Sequence, residues 1–335
     1  MRRVSIALQG NKSHAEYAAL AGLVESLGFD MLSVYADLGY QPAIGPLIAA
    51  ATATSRIELG PAALNPYLLH PVEIANQMAY LDRLSAGRAY VGLVRGAWLD
   101  QLGIEDRHPI QRMREAVEVI KHLLSCATSG YQGTHFSLPP GQIFHTPLQR
   151  PTMPILIGSW GPKLLQIAGE TADEVKLGGS TNPSLIAEIR RQLAIGEARA
   201  GRPIGSTRIA VGAVTIVDED GAAARARVRR EAALYIPVIG PLDPTVELDP
   251  EMLARMAALV ATGEVAEAGN LVPDDLLDRF SFAGSPEQIA VQAEKLFAAG
   301  ADRIEFGTPH GFTDEGGIRL LGERVLPRLD RTGVA

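Results

Sequence analysis

Short apolar runs alternate with longer amphipathic stretches along most of the chain. The runs at residues 4–8, 31–35, 57–60 and 89–94 are bounded by glycine, proline or polar turns. They read as strands covered on both faces, whose sequences are apolar throughout rather than alternating. The stretches between them, residues 13–27, 45–54 and 70–84, read as helices. Ser13 stands three residues ahead of Glu16, the spacing of a capping box, and Gly28 closes that helix from the C′ position. The later chain repeats the rhythm: helix 109–125 with a proline at its start, strand 154–158, helix 162–171, strand 174–177, helix 184–200, strand 209–217, helix 219–234, helix 286–299, strand 303–306 and helix 315–329. Strands that alternate with helices in this way predict a parallel sheet. Their number predicts closure into an α/β (β/α)8 TIM barrel, one domain spanning residues 1–335. An open doubly wound sheet is the architectural alternative, but no G-x-G-x-x-G follows the first strand.

Two regions break the alternation. Residues 131–149 are rich in glycine, proline and aromatics and read as a hairpin or irregular insertion. Residues 237–282 contain one short helix near 251–261 and read as an excursion from the barrel, a candidate lid.

Composition narrows the function. Hydrophobic residues make up 47% of the 335, enough for a large core, and 21% are charged. The net charge of -7 supplies no basic field for nucleic acid or an anionic membrane surface. The single cysteine, Cys126, excludes an intramolecular disulfide or a thiolate metal cluster within one chain, and it reads as a core-facing helix residue. No leader-like or membrane-spanning apolar run is present, so a cytoplasmic location is the expectation. The histidines form no H-x-x-x-H or H-E-x-x-H, so no metal site is expected, and no G-x-S-x-G offers a nucleophile elbow.

In a barrel the chemistry belongs at the C-terminal strand ends. Those ends include Gln9, Asp37, residues 60–67, Arg95–Gly96, Ser159–Trp160–Gly161 and Gly178–Gly179–Ser180. Small residues there let backbone N–H groups approach a ligand, and Gly161 opens a helix whose N-terminus favours an anion. Arg95 is suited to phosphate or carboxylate, with an ion pair to Asp100 as the plainer role. His70 and His310 are further polar candidates, and the Arg225–Arg230 charge run reads as a solvated helix face.

The segments L-G-P-x-x-x-N-P-Y (59–67), L-D-R-L-S-x-G-R (81–88), G-P-K-x-L-x-x-A-G-E-x-A-D (161–173) and F-G-x-P-x-G (306–311) resemble the bacterial luciferase-like superfamily. The chain is most similar to its deazaflavin branch, the methylenetetrahydromethanopterin reductase type. The resemblance implies an enzyme, an oxidoreductase that transfers hydride between coenzyme F420, an 8-hydroxy-5-deazaflavin, and a small organic substrate. It also implies a homodimer and a non-prolyl cis bond at Ala62–Ala63, with Ala62, Ala63, Leu64 and Asn65 backing the cofactor ring. By the same resemblance Arg95, Gly96, Ser159, Trp160, Gly161, Gly178, Gly179 and Ser180 hold the cofactor's tail and phosphate. Many members carry Asp-His after the second strand, where this chain has Asp37–Leu38, so the histidine's role does not carry over. Asp37, Tyr40 and Gln9 remain the candidate catalytic side chains, and the two irregular regions are expected to set the substrate. The rivals are an FMN-dependent monooxygenase using reduced flavin and oxygen, and a flavin-binding protein without catalysis.

Overall fold

In the computed structural model, which describes residues 2–96 and 99–332, a single wall of parallel strands surrounds the core. Residue 1, residues 97–98 and residues 333–335 of the predicted domain lie outside the described residues. The strands are β1 (Arg3–Leu8), β2 (Met31–Val34), β3 (Glu58–Pro61), β4 (Val91–Val94), a small antiparallel pair β5 (Tyr131–Gln132) and β6 (Ser137–Leu138), then β7 (Ile155–Gly158), β8 (Glu174–Gly178), β9 (Arg208–Val217), β10 (Phe282–Gly284) and β11 (Arg303–His310). The wall runs β3-β2-β1-β11-β9-β8-β7-β4. Isolated parallel bridges, Leu59 to Ala89 and Leu64 to Leu93, close the seam between β3 and β4. This is the expected eight-stranded barrel.

The helices follow in order: α1 (His14–Ser26), α2 (Ile44–Ala53), α3 (Pro71–Leu84), α4 (Pro109–Leu124), α5 (Pro162–Thr171), α6 (Leu185–Arg199), α7 (Gly221–Ile239), α8 (Pro250–Ala261), α9 (Val265–Asn270), α10 (Asp274–Phe280), α11 (Pro286–Ala298) and α12 (Asp314–Leu320). The capping box of Ser13 and Glu16 forms as its spacing requires, and an equivalent one joins Ser285 and Gln288. Val4, Ile6, Leu32, Leu59, Val91, Ile157 and Ile304 are fully buried in the core shared by strands and helices.

Several expectations are corrected. Residues 237–282 are not irregular: α7 continues through Pro237 to Ile239, and α8, α9 and α10 follow. Pro237 removes only its own helix N–H bond, and the helix continues because Val228, Ala232, Ala233 and Ile236 seat on a second core with Met256, Leu277 and Phe280. Two arginines of the charge run are not simply solvated. Arg225 reaches Asp274 and Asp278, and Arg229 reaches Asp274, tying α10 to α7. The last strand extends to His310, and the closing helix stops at Leu320, giving way to a π-turn and a 3-10 turn. Cys126 is exposed, not in the core, because it follows the C-cap Ser125 with φ at +55°, which turns the chain out of α4. The β5–β6 hairpin packs against α4, whose Glu115 carboxylate accepts the N–H groups of Thr134, His135 and Phe136.

Candidate active site

A cavity of about 580 Å³ opens at the C-terminal strand ends. Its walls take Tyr35 to Leu38 from the turn after β2, Ala62, Ala63 and Asn65 from the bulge after β3, and Arg95 and Gly96 after β4. Ser159, Trp160 and Gly161 come from the turn after β7, and Gly178 and Gly179 from the end of β8 and the turn after it. Tyr235, Val238, Ile239 and Leu242 close it from the α7 side. The extra helical layer therefore reaches the site through the end of α7, whereas no residue of 131–149 lines the cavity.

The backbone explains why the glycines stand where they do. Gly96 has φ +89°, and a Cβ there would lie 2.2 Å from the Asn65 amide nitrogen. Gly179 has φ +84°, and a Cβ there would lie 2.3 Å from Ile239 Cδ1. Only glycine meets both demands. The Ala62–Ala63 bond is cis, at the position the resemblance implies, and Thr308–Pro309 is also cis. Asn65 Oδ1 accepts the Tyr67 N–H at 2.8 Å, which fixes the bulge's far end. Trp160 donates its indole N–H to the Gly178 carbonyl at 3.1 Å, joining the two glycine-bearing turns.

Most of the candidate residues converge on this cavity, but not all. Asp37 lines it, and Gln9, 7% exposed, stands behind it and donates to Asp37 Oδ2 at 2.9 Å. Tyr40 is half exposed and is not among the lining residues. Leu64 turns into the core. Ser180 is 1% exposed, and its hydroxyl accepts the Asn182 N–H rather than facing the cavity. Arg95 is exposed at the rim and makes no ion pair with Asp100 among the described residues. His70 caps α3 through Nδ1, and His310 is fully buried between Asp314 and the Ala7 carbonyl, so both serve the fold.

Three ionisable side chains on the cavity were missed by the sequence reading: Tyr35, Tyr235 and Lys176. Burial, with the charges of Glu305 and Asp37, pushes the Tyr35 phenol well above its usual range. Burial and the Asp37 carboxylate push Tyr235 up to about 12. Both stay protonated at neutral pH and can only donate or accept hydrogen bonds as neutral phenols. Lys176 pairs with Glu305, which also accepts from Ser33 Oγ at 2.6 Å and from Arg303 Nη1 at 2.8 Å. Arg303 in turn grips Glu174. Burial raises the Glu305 carboxyl, but Lys176 and Arg303 outweigh it and hold the group well below the usual carboxylate range. The signal for this network lay in the sequence. Glu174/Lys176 and Arg303/Glu305 are charged pairs at period two in apolar strands, so each pair points to one face, the barrel interior.

Comparison with known proteins places this geometry. The family model described as luciferase-like monooxygenase matches residues 2–303. A 5,10-methylenetetrahydromethanopterin reductase from Methanopyrus kandleri is 29% identical over 93% of this chain and 94% of its own. An F420-dependent glucose-6-phosphate dehydrogenase from Microbacterium testaceum is 26% identical over 92% and 91%. The solved structure of the coenzyme F420-dependent tetrahydromethanopterin reductase from Methanopyrus kandleri superposes with a TM-score of 0.90, at 27% identity over 98% of this chain and 99% of that one.

Proposed function

Because the chain belongs to the luciferase-like monooxygenase family, we propose that it is an oxidoreductase that moves a hydride between coenzyme F420 and an organic substrate. The full-length likeness is to F420-dependent reductases and dehydrogenases, which favours deazaflavin over FMN and oxygen chemistry. The observation that carries the reading is the shape of the cavity. The bulge of Ala62 and Ala63 lines it, together with glycine-bearing turns at Gly96, Gly161 and Gly178–Gly179.

The residues present fit such a group. At Gly161 and Gly178 a Cβ would meet nothing within 4 Å, so open space lies over these turns beside the N-terminus of α5. That is a place for a phosphate-bearing tail. Ala62, Ala63 and Asn65 would back the ring, and Arg95, Gly96, Ser159, Trp160, Gly161, Gly178 and Gly179 would hold the tail. Leu64 and Ser180 drop out of this set because of where their side chains point. The bound deazaflavin supplies a reversible hydride carrier at one ring carbon.

The chain's own contribution is orientation and proton management. Leu38 lines the cavity where family members carry histidine, so no proton moves there. Asp37, fixed by Gln9, is the carboxylate on the substrate side, with the Tyr35 and Tyr235 phenols near it. Val238, Ile239 and Leu242 give the cavity an apolar edge on the α7 side. We place the enzyme in the cytoplasm as a homodimer acting on a small diffusible substrate. No helix among the described residues is long and apolar enough to cross a membrane.

The test is a fluorescence titration of the purified protein with F420 and, in parallel, with FMN. Tight binding of F420 alone is the expected result. Preference for FMN would overturn the reading, and binding of neither would remove the site assignment.

A further inference from the structure

Among the described residues lining the cavity, two carry positive charge: Arg95 at the exposed rim and Lys176 at the floor, 6% exposed. An ammonium has three N–H donors. Lys176 makes one protein hydrogen bond among the described residues, to Glu305 Oε1, and its Nζ lies 5.0 Å from the centre of the Tyr35 ring. The other two donors have no protein acceptor among the described residues, and the side chain lines the cavity. Buried donors left without acceptors are costly, so this ammonium calls for an acceptor from a ligand.

Tyr35 points to the same place. Its side chain lines the cavity, and its hydroxyl makes no hydrogen bond to protein among the described residues. A Cβ on Gly307 would lie 2.6 Å from that hydroxyl, so glycine at 307 makes room for it.

The arrangement of charge gives the floor its sign. Lys176 and Arg303 balance Glu305 and Glu174, so the buried group is neutral as a whole. The two carboxylates are 0% and 4% exposed at their side chains and neither lines the cavity. Lys176 alone of the four does. The other titratable groups near it are Tyr35 after β2 and Tyr90 ahead of β4, with Asp37 and Tyr235 nearer the rim. An oxygen entering the floor therefore meets a cation first.

Resting on the F420 reading, we propose that Lys176 and the Tyr35 hydroxyl form an oxyanion subsite at the cavity floor, which binds a negatively charged oxygen of the deazaflavin ring and selects it over neutral flavin. The chemistry matches. An 8-hydroxy-5-deazaflavin is a conjugated acid, and loss of its hydroxyl proton spreads negative charge from the 8-oxygen to the pyrimidine carbonyl. Either end of the ring thus presents an anionic oxygen. The ring of oxidised FMN carries no such hydroxyl. Glu305 is the positioning residue, holding the ammonium from behind.

The experiment is a pH titration of the absorption spectrum of bound F420, with dissociation constants for F420 and FMN. It uses wild type, Lys176→Met, and the double variant Lys176→Gln with Glu305→Gln, which leaves no orphaned carboxylate. In wild type the bound ring should lose its proton at lower pH than the free cofactor. Both variants should weaken F420 binding at neutral pH by about tenfold or more, the scale of a charged hydrogen bond. They should also return the ring's titration toward that of free F420 and leave FMN affinity within about twofold of wild type, since that ring brings no anionic oxygen for Lys176 to bind. A folded variant that binds F420 and titrates the ring as wild type does would overturn the inference. So would a wild-type complex whose ring titrates at or above the free value, a result that needs no variant. Failure of wild type to bind F420 at all would instead overturn the parent reading.

Discussion

The side-chain amide of Gln9 joins the end of β1 to the turn after β2: Nε2 donates to Asp37 Oδ2 at 2.9 Å while Oε1 accepts the Gly10 N–H at 2.8 Å. Both ends of the amide are committed, so Asp37 faces the cavity in one orientation. Gln9→Leu leaves the buried Gly10 N–H unpaired and the Asp37 carboxylate free to turn. The expected outcome is a loss of about 1–3 kcal/mol in urea denaturation. A fall in kcat should accompany it with little change in the F420 dissociation constant, because Gln9 touches the carboxylate and not the proposed cofactor wall. A variant with weakened F420 binding and unchanged kcat would contradict this placement.

Gly92, in the middle of β4, sets how closely the bulge can pack. A Cβ there would lie 2.0 Å from the Pro61 carbonyl oxygen and 3.4 Å from Ala63 Cβ. The Pro61 oxygen is backbone and cannot swing aside, so Gly92→Ala must push the bulge outward. Overpacking of this kind costs about 1–3 kcal/mol. The displacement should reach Ala62 and Ala63 on the cavity wall. Thermal unfolding should show the loss, and F420 titration should show weaker binding in whatever folded protein remains. Unchanged stability would mean that the β3–β4 seam yields more easily than a barrel wall should.

Much of the barrel could be read from the chain because its strands are apolar throughout and its helices carry their own punctuation, such as Ser13, Glu16 and Gly28. The glycine turns at 96, 161, 178 and 179 were legible for the same local reason. The misreadings were tertiary. Pro237 argues locally for a helix end, and only the second core beneath α7 keeps that helix intact. Cys126 looks apolar beside Leu123 and Leu124, but the left-handed turn that exposes it normally belongs to glycine. Ser180 and Leu64 sit in the right segments and point the wrong way, which spacing in short irregular loops does not reveal. Tyr35, Tyr235 and Lys176 reach the cavity from a strand end, a helix and a strand interior, three elements with no fixed spacing between them.

Asp314 links pH to stability. Its carboxylate meets Lys12 Nζ at 2.9 Å and His310 Nδ1 at 3.0 Å at the start of α12. Burial alone would raise its pKa, but His310 and Lys12 outweigh that and lower it from 3.8 to about 2. A carboxyl depressed in the folded state stabilises it fully above its ordinary value and loses that contribution as pH falls toward the folded value. Asp314→Asn should therefore cost about 1–2 kcal/mol at about pH 7, with the difference from wild type shrinking to near zero at about pH 2. Urea midpoints at the two pH values check this. A deficit that persists in acid would assign the loss to packing of α12 instead.

Arg95 separates tail recognition from ring recognition. It sits exposed on the cavity rim beside Gly96, without an ion-pair partner among the described residues. Val94 pairs with Gly158, so the turn after β7 and the α5 N-terminus adjoin Arg95 on the neighbouring strand end. A guanidinium so placed can clamp a phosphate with two parallel hydrogen bonds, and lysine cannot reproduce that fork. Arg95→Gln should weaken F420 by about tenfold, the worth of one charge-assisted hydrogen bond. It should leave the bare 8-hydroxy-5-deazaflavin, which lacks the phosphate, unaffected. The wild-type preference for F420 over the bare ring should also shrink as salt rises, because an exposed ion pair is screened over about 10 Å at moderate ionic strength. Equal weakening of both ligands by Arg95→Gln would move Arg95 from the tail to the ring, and the phosphate would then have to rest on the backbone turns at Gly161 and Gly178 alone.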